Sequence, residues 1–122
     1  MLTTGVDIIE IARVERTFRR WGNRFLDRVY TAGEVAFCRG RLQELAVRIA
    51  AKEALSKALG TGIWCRDDVW WNEMEILPDP RGKPLVQLYG RARQRAEQLG
   101  LSEIAVSLSH SDNYAVAFVV AQ

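Results

Sequence analysis

Apolar and polar positions at the start of the chain follow first a strand period and then a helix period. In the short apolar run Gly5–Ile9, Val6 and Ile8 alternate with Asp7 and Ile9, which predicts a β-strand that contains one carboxylate. The next apolar residues recur at helical spacing until Gly22-Asn23 ends the pattern. The apolar face of this helix comprises Ile11, Val14, Phe18 and Trp21.

Two further helices are predicted in the middle of the chain. Thr31 and Glu34 form the T-x-x-E pattern of a capping box, which opens a short helix that ends near Cys38. A longer helix is predicted over Leu42–Leu59, and the glycine-rich turn at residues 60–62 ends it.

The second half of the chain predicts four strands and one helix. They are the strands Trp70–Leu77 and Leu85–Tyr89, the helix Arg91–Leu99, and a closing hairpin of Ile104–Ser109 with Tyr114–Ala121. The order β-α-α-α-β-β-α-β-β predicts an α+β fold. Because no repeat or linker interrupts the chain, we expect residues 1–122 to form a single domain.

Composition excludes several classes of protein. With 122 residues, 48% apolar and 26% charged, the chain is not a disordered or collagen-like sequence. Cys38, Cys65 and the single histidine, His110, do not have the spacing of a zinc site or a disulfide scaffold. The longest apolar run, Ala115–Ala121, is far shorter than a membrane span. We therefore expect a cytoplasmic protein with no membrane partner.

Positive charge is concentrated in the N-terminal third. Residues 13–48 carry nine arginines and four carboxylates, a net charge of +5, although the whole chain carries only +2. Within them Arg13, Arg16 and Arg20 share one face of the first helix. This pattern indicates an acidic partner or a phosphate-rich ligand. The alternative is an ordinary solvated surface.

The long helix contains a charged residue at an unexpected position. Leu42, Ala46 and Ile49 predict its buried stripe, and Glu53 falls on that stripe with Lys57 one turn further. Burying either charge is unfavourable unless it is paired or holds a ligand. One interpretation is a Glu53–Lys57 ion pair, and the other is a ligand site.

Asp7 favours the ligand site. Acidic residues are poor strand formers, so Asp7 is either exposed at a strand edge or functional. Asp7 and Glu53 together would offer two hard oxygen ligands for Mg²⁺ on a phosphate-bearing substrate, with Lys57 beside them for a phosphate oxygen. His110, in a turn, is either a polar loop residue or a phosphate contact.

Four segments of the chain, in this order, resemble the holo-acyl-carrier-protein synthase group of 4′-phosphopantetheinyl transferases. They are Gly5–Arg13 (G-x-D-x₅-R), Phe25–Glu34 (R-x-[LY]-T-x-x-E), Ile49–Ala58 (aromatic-x-x-K-E-A-x-x-K-A) and Val106–Ser111 with Tyr114–Ala117. Ile49 stands where the group commonly has an aromatic residue, a difference that concerns helix packing more than chemistry.

The resemblance implies a function and a set of site residues. It implies transfer of the phosphopantetheine arm of coenzyme A to a serine of an apo acyl carrier protein, with Mg²⁺ held by Asp7 and Glu53. We expect Glu53 and Lys57 to be catalytic. We expect the nucleotide phosphates to be contacted by Arg48, Lys52 and His110.

The resemblance also implies the partners. An acidic carrier protein docks on the first helix, here on Arg13, Arg16 and Arg20, and the active sites of a homotrimer lie between subunits. Two other classes remain open from the residues alone: a nucleic-acid-binding module that uses the arginines, and a structural domain with exposed Asp7 and Glu53. We expect no nucleic acid as a partner, because such a module leaves Glu53 unexplained.

Overall fold

The computed structural model describes residues 1–63 and 69–122, and Cys65 lies outside the described residues. The strands are β1 (Thr3–Glu10), β2 (Met74–Pro78), β3 (Pro84–Leu88), β4 (Ile104–His110) and β5 (Tyr114–Ala121). The helices are α1 (Ile11–Trp21), α2 (Asn23–Val29), α3 (Ala32–Cys38), α4 (Leu42–Ala58) and α5 (Gly90–Gln98). The predicted α+β class and order of elements are confirmed, and the structure adds the short helix α2.

Two antiparallel sheets organise the strands. One has the order β1-β5-β4, and the other is the β2-β3 hairpin. In the first sheet β1 pairs with β5 along its whole length, so that Asp7 lies opposite Ala117. The N-terminal strand is therefore at an edge of the sheet, and α4 packs across the face of this sheet.

Helix α4 lies at the centre of the molecule. It packs on β1 and β5 and also contacts α1, α3, β2 and β4. Of the predicted stripe, Ala46 and Ile49 are buried but Leu42 is only partly buried. Leu45, Ala50 and Leu55 are buried as well, because alanines along the helix let neighbours approach it from several directions. No helix in the described part of the chain combines the length and the apolar character needed to cross a membrane.

Two local differences from the predicted elements have clear causes. Residues Trp71–Glu73 form a 3₁₀ turn rather than the start of a strand, because the Glu73 carboxylate accepts the backbone N–H of Trp70 at 2.8 Å. Gly22, at φ +55°, ends α1 and immediately begins α2 by accepting the N–H groups of Phe25 and Leu26. A glycine predicted only as a helix end thus joins two helices.

Candidate active site

Strand β1 presents Val6 and Ile8 outward, whereas Asp7 and Ile9 lie on its inner face. Val6 and Ile8 are exposed, while Gly5 and Asp7 face α4. A Cβ atom at Gly5 would overlap the carbonyl oxygen of Ala54, so only glycine allows the strand this close to the helix. The G-x-D spacing therefore has a structural reason: the glycine brings the strand against α4, and the aspartate follows on the same face.

Asp7 and Lys57 form an ion pair across this contact. The Lys57 Nζ atom lies 3.2 Å from Asp7 Oδ1 and donates to the backbone oxygen of Val6 at 2.8 Å. Lys57 is exposed, whereas Asp7 is half-buried. The ion-pair interpretation of α4 required Glu53 as the partner of Lys57. The structure instead pairs Lys57 with Asp7 of β1.

Glu53 is half-buried near the same aspartate. Its pKa is raised above the ordinary value, chiefly by burial and secondly by the negative charge of Asp7, and Lys57 opposes the shift. Two carboxylates that disfavour each other's charge are a suitable site for a cation. Mg²⁺ commonly takes one or two carboxylates and completes its shell with water and phosphate oxygens, so this donor set fits it.

The two carboxylates open into a cleft of about 800 Å³ between β1, α1, α2 and α4. Its apolar lining comprises Ile8, Ile9, Val14, Trp21, Phe25, Val29, Ile49 and Trp71. Its polar and charged lining comprises Asp7, Arg13, Thr17, Arg24, Arg28 and Glu53. A ligand here would meet two acids at one end, an apolar floor and an arginine rim.

The arginine stripe of α1 is exposed as predicted. Arg13 lines the cleft, and the Arg20 guanidinium lies 5.0 Å from the ring centre of Trp21. Sequence reasoning did not single out Arg24 and Arg28, which extend the basic rim along α2. Their i,i+4 spacing would have indicated a shared face had a helix been predicted there.

Lys52 does not occupy the position expected for a nucleotide contact. Its side chain is completely buried, and its ammonium donates to Glu34 Oε1 at 2.6 Å and to the backbone oxygens of Val29 at 2.7 Å and Trp71 at 2.9 Å. These three acceptors match its three donors. Burial lowers the pKa of Lys52, and Glu34 opposes that shift. Because protein acceptors take all three N–H donors of Lys52, the expectation that it contacts a nucleotide phosphate is wrong for this structure.

Arg48 is corrected for the same reason. It is 2% exposed, its Nε donates to the backbone oxygen of Ile76 at 2.9 Å, and its Nη1 lies 2.6 Å from Glu44 Oε2. Its guanidinium also lies 4.6 Å from the ring centre of Phe37. Arg48 therefore joins α4 to β2 inside the protein.

Glu34 is buried and has two structural roles, of which the sequence motif indicated only the capping box. The capping box with Thr31 is formed as predicted. In addition, the Glu34 carboxylate accepts the backbone N–H of Ile76 at 3.0 Å and the ammonium of Lys52. The N3 glutamate of the capping box of α3 is thus also the anion of a buried ion pair.

His110 lies outside the cleft of its own chain. It is exposed at the end of β4, where it pairs with Ala115, and β5 separates it from β1. One copy of the chain therefore brings together Asp7, Glu53, Lys57 and Arg13, but not His110.

Comparison with known proteins shows the family of the chain. The family model of the 4′-phosphopantetheinyl transferase superfamily matches residues 3–119. Holo-[acyl-carrier-protein] synthases of Herpetosiphon aurantiacus and Dehalococcoides mccartyi are 51% and 49% identical, and the matches cover at least 98% of each chain. The Helicobacter pylori holo-[acyl-carrier-protein] synthase in complex with coenzyme A superposes with a TM-score of 0.87 at 29% identity, over 98% of this chain and 99% of that one. The Neisseria meningitidis enzyme gives 0.87 at 33%, over 98% and 97%. The chain therefore belongs to the 4′-phosphopantetheinyl transferase superfamily, as its sequence motifs implied.

Proposed function

We propose that this protein transfers the 4′-phosphopantetheine group of coenzyme A to a serine hydroxyl of an apo acyl carrier protein. Adenosine 3′,5′-bisphosphate is the other product. The observation that carries the proposal is the meeting of Asp7 and Glu53 in an arginine-rimmed cleft. Relatives of this chain bear the name of this activity, and similar solved structures hold coenzyme A.

The reaction needs charge neutralisation and positioning more than covalent help from the protein. The serine oxygen attacks the β-phosphorus, the bond from that phosphorus to the bridging oxygen breaks, and the electron pair leaves with the bisphosphate. Glu53, or a water that it orients, accepts the serine proton. Lys57 donates to a phosphate oxygen.

A divalent metal completes this chemistry. Asp7 and Glu53 would hold Mg²⁺ through carboxylate oxygens, and water and the pyrophosphate would supply the remaining ligands. When bound, Mg²⁺ neutralises negative charge on the pyrophosphate. The mutual repulsion of the two carboxylates supports this assignment, because a cation between them removes it.

The arginine rim supports docking of an acidic carrier protein. Arg13, Arg16 and Arg20 are exposed together on α1, and Arg24 and Arg28 extend the same positive surface. An acidic helix approaching this surface gains Coulomb attraction and a higher association rate. Docking there would present the serine to the acidic end of the cleft.

We further propose that the protein acts as a homotrimer. The outer face of the larger sheet carries exposed apolar side chains, with Val6, Ile8 and Phe118 between 44% and 63% exposed. Contiguous apolar surface of this kind marks an interaction site. A site between subunits would also give His110 a role, since this residue lies away from the cleft of its own chain.

Mass spectrometry of the carrier protein tests the proposed reaction. Apo acyl carrier protein incubated with this protein, coenzyme A and Mg²⁺ should gain the mass of one phosphopantetheine group, and excess EDTA should prevent the gain. Coenzyme A should also raise the melting temperature in a Mg²⁺-dependent manner. No mass gain, or stabilisation by nucleic acid and not by coenzyme A, would contradict the proposal.

A further inference from the structure

The buried ammonium of Lys52 joins three parts of the chain that form the cleft. The two backbone carbonyls that accept from it belong to Val29, at the end of α2, and to Trp71, in the 3₁₀ turn. Both residues line the cleft. Lys52 itself precedes Glu53 on α4, so one side chain connects two walls of the cleft to the helix turn that carries the acid.

Glu34 holds the ammonium in this place. Its Oε1 atom lies 2.6 Å from Lys52 Nζ, and its carboxylate also accepts the backbone N–H groups of Thr31 and Ile76. Both charged side chains are completely buried. A buried ion pair is often replaceable by apolar residues without loss of stability, so stability alone does not account for this arrangement.

The other buried cation of α4 provides a contrast within the same helix. Arg48 lies one turn before Lys52 and is nearly as deeply buried. Its guanidinium donates to Ile76 and Glu44, and neither residue lines the cleft. Connection to the cleft walls therefore distinguishes Lys52 from Arg48.

We propose that Lys52, held by Glu34, is a positioning residue for the metal site. By tethering Val29 and Trp71 to α4, it sets the distance between the cleft walls and the helix and the rotation that directs Glu53 toward Asp7. This inference rests on the proposed function, because its target is the carboxylate pair assigned to Mg²⁺. Lys52 itself touches neither coenzyme A nor the carrier protein.

The test uses a variant that keeps the interior neutral. Lys52→Met alone leaves the Glu34 carboxylate buried without its cation and is expected to fold poorly. The double variant Glu34→Gln/Lys52→Met removes both charges, and Arg48→Met is the matched control. Thermal unfolding first establishes a temperature at which the wild type and both variants are folded.

The first readout is metal binding without turnover. Mn²⁺ affinity, measured by electron paramagnetic resonance in the presence of coenzyme A and without carrier protein, should fall about 10–100-fold in the double variant, as for other residues that orient metal ligands. The Mg²⁺ concentration for half-maximal transfer should rise in parallel. In Arg48→Met both quantities should stay within about twofold of wild type, since its removed contacts are remote from the carboxylates.

Each outcome decides the inference. Weakened Mn²⁺ binding in the folded double variant, with unchanged binding in Arg48→Met, supports it. Wild-type affinity in the double variant, or equal losses in the double variant and the control, overturns it while the proposed function stands. A wild-type protein that neither binds Mn²⁺ with coenzyme A nor modifies the carrier protein overturns the proposed function itself.

Discussion

Three charged residues within two turns of α4 have very different surroundings. Lys52 is buried with three acceptors, Lys57 is exposed beside Asp7, and Glu53 is half-buried with a second carboxylate nearby. Burial disfavours the charge of Lys52 and of Glu53, but Lys52 has a buried counter-ion in Glu34, whereas the nearby charge of Asp7 disfavours the Glu53 carboxylate further. A cation would therefore stabilise the charged form of Glu53, the residue proposed to hold the metal.

Replacing Glu53 by glutamine should stabilise the metal-free protein at neutral pH. The pKa of Glu53 is 4.5 in the unfolded chain and higher in the folded protein. Between these two pKa values the folded protein keeps a proton that the unfolded chain loses, so the free energy of unfolding falls as the pH rises through this window. Glu53→Gln should therefore raise the free energy of unfolding at pH 7 by about 0.5–1 kcal/mol and reduce Mg²⁺-dependent transfer roughly 100-fold. Urea unfolding in EDTA at pH 4 and pH 7 measures the first effect.

The control for this prediction is Asp112→Asn, because Asp112 is exposed in the turn between β4 and β5. It should change neither stability nor transfer. Equal stability of wild type and Glu53→Gln at pH 7 would mean that water solvates the Glu53 carboxylate fully.

Cys38 should be unreactive in the folded protein. Burial raises the pKa of its thiol to about 11 from 9.0. Between these values the unfolded thiol ionises and the folded one does not, so the contribution of this group to stability is present below pH 9 and lost as pH rises toward 11. In a Cys65→Ser variant, a disulfide reagent at pH 8 should label Cys38 only on unfolding in urea. Rapid labelling without urea would contradict the burial of this side chain.

At the scale of elements, the contact between β1 and α4 sets the position of the acidic pair. Gly5→Ala would place a methyl group on the Ala54 carbonyl and push the strand away from the helix. We expect a loss of about 1–3 kcal/mol in the free energy of unfolding, as for other overpacked sites. Transfer should decrease as well, because Asp7 moves with the strand.

Thr4→Ala serves as the control, since Thr4 is exposed on the same strand. Its free energy of unfolding should stay within about 0.5 kcal/mol of wild type. Denaturant unfolding measures both variants, and a wild-type stability for Gly5→Ala would show that the strand has room to move.

The sequence predicted the elements better than the ligand contacts. Periodicity predicted α1 and the closing hairpin because each has a clear apolar pattern. The bounds of α4 were predicted from the glycine-rich turn that follows it, although the helix is buried on several sides. It missed α2, since a seven-residue helix after a glycine carries little periodic signal. Lys52 and Lys57 both lie close to Glu53 in sequence. Spacing alone did not show that Lys52 is the buried one, with its ammonium bound by Glu34 and by two backbone carbonyls. That difference depends on tertiary packing.

For the whole molecule, the exposed face of the larger sheet predicts self-association. Phe118→Asp places a charge in the middle of that face, opposite Val6. We expect sedimentation to show a trimer for the wild type and a monomer for this variant, with loss of transfer. Leu85→Asp is the control, because Leu85 is 53% exposed on a different sheet. A wild-type monomer with full activity would refute sites between subunits.

The basic surface predicts a change in carrier-protein binding alone. Arg16 and Arg20 are exposed on α1 and do not line the cleft. Reversing both to glutamate should raise the KM for the carrier protein about tenfold at low salt, since each exposed pair contributes about 0.2–1 kcal/mol and reversal adds repulsion. The KM for coenzyme A should stay unchanged.

Arg81→Glu/Lys83→Glu, in the exposed turn between β2 and β3, controls for net charge because it also reverses two positive charges. Steady-state kinetics at two ionic strengths measures all three proteins. An unchanged KM for the carrier protein in the Arg16→Glu/Arg20→Glu variant would mean that the stripe is only a solvated face.

The pairing of the first strand with the last has a consequence for synthesis of the chain. Thr3 pairs with Ala121 and Glu10 with Tyr114, partners more than a hundred residues apart. While a ribosome is still making the protein, β1 therefore has no neighbouring strand, and the apolar surface of α4 is covered only in part. Closing so long a loop is entropically unfavourable and slows folding. Asp7 and Glu53 therefore reach their native positions only after β5 has left the exit tunnel, so the candidate active site forms late in folding.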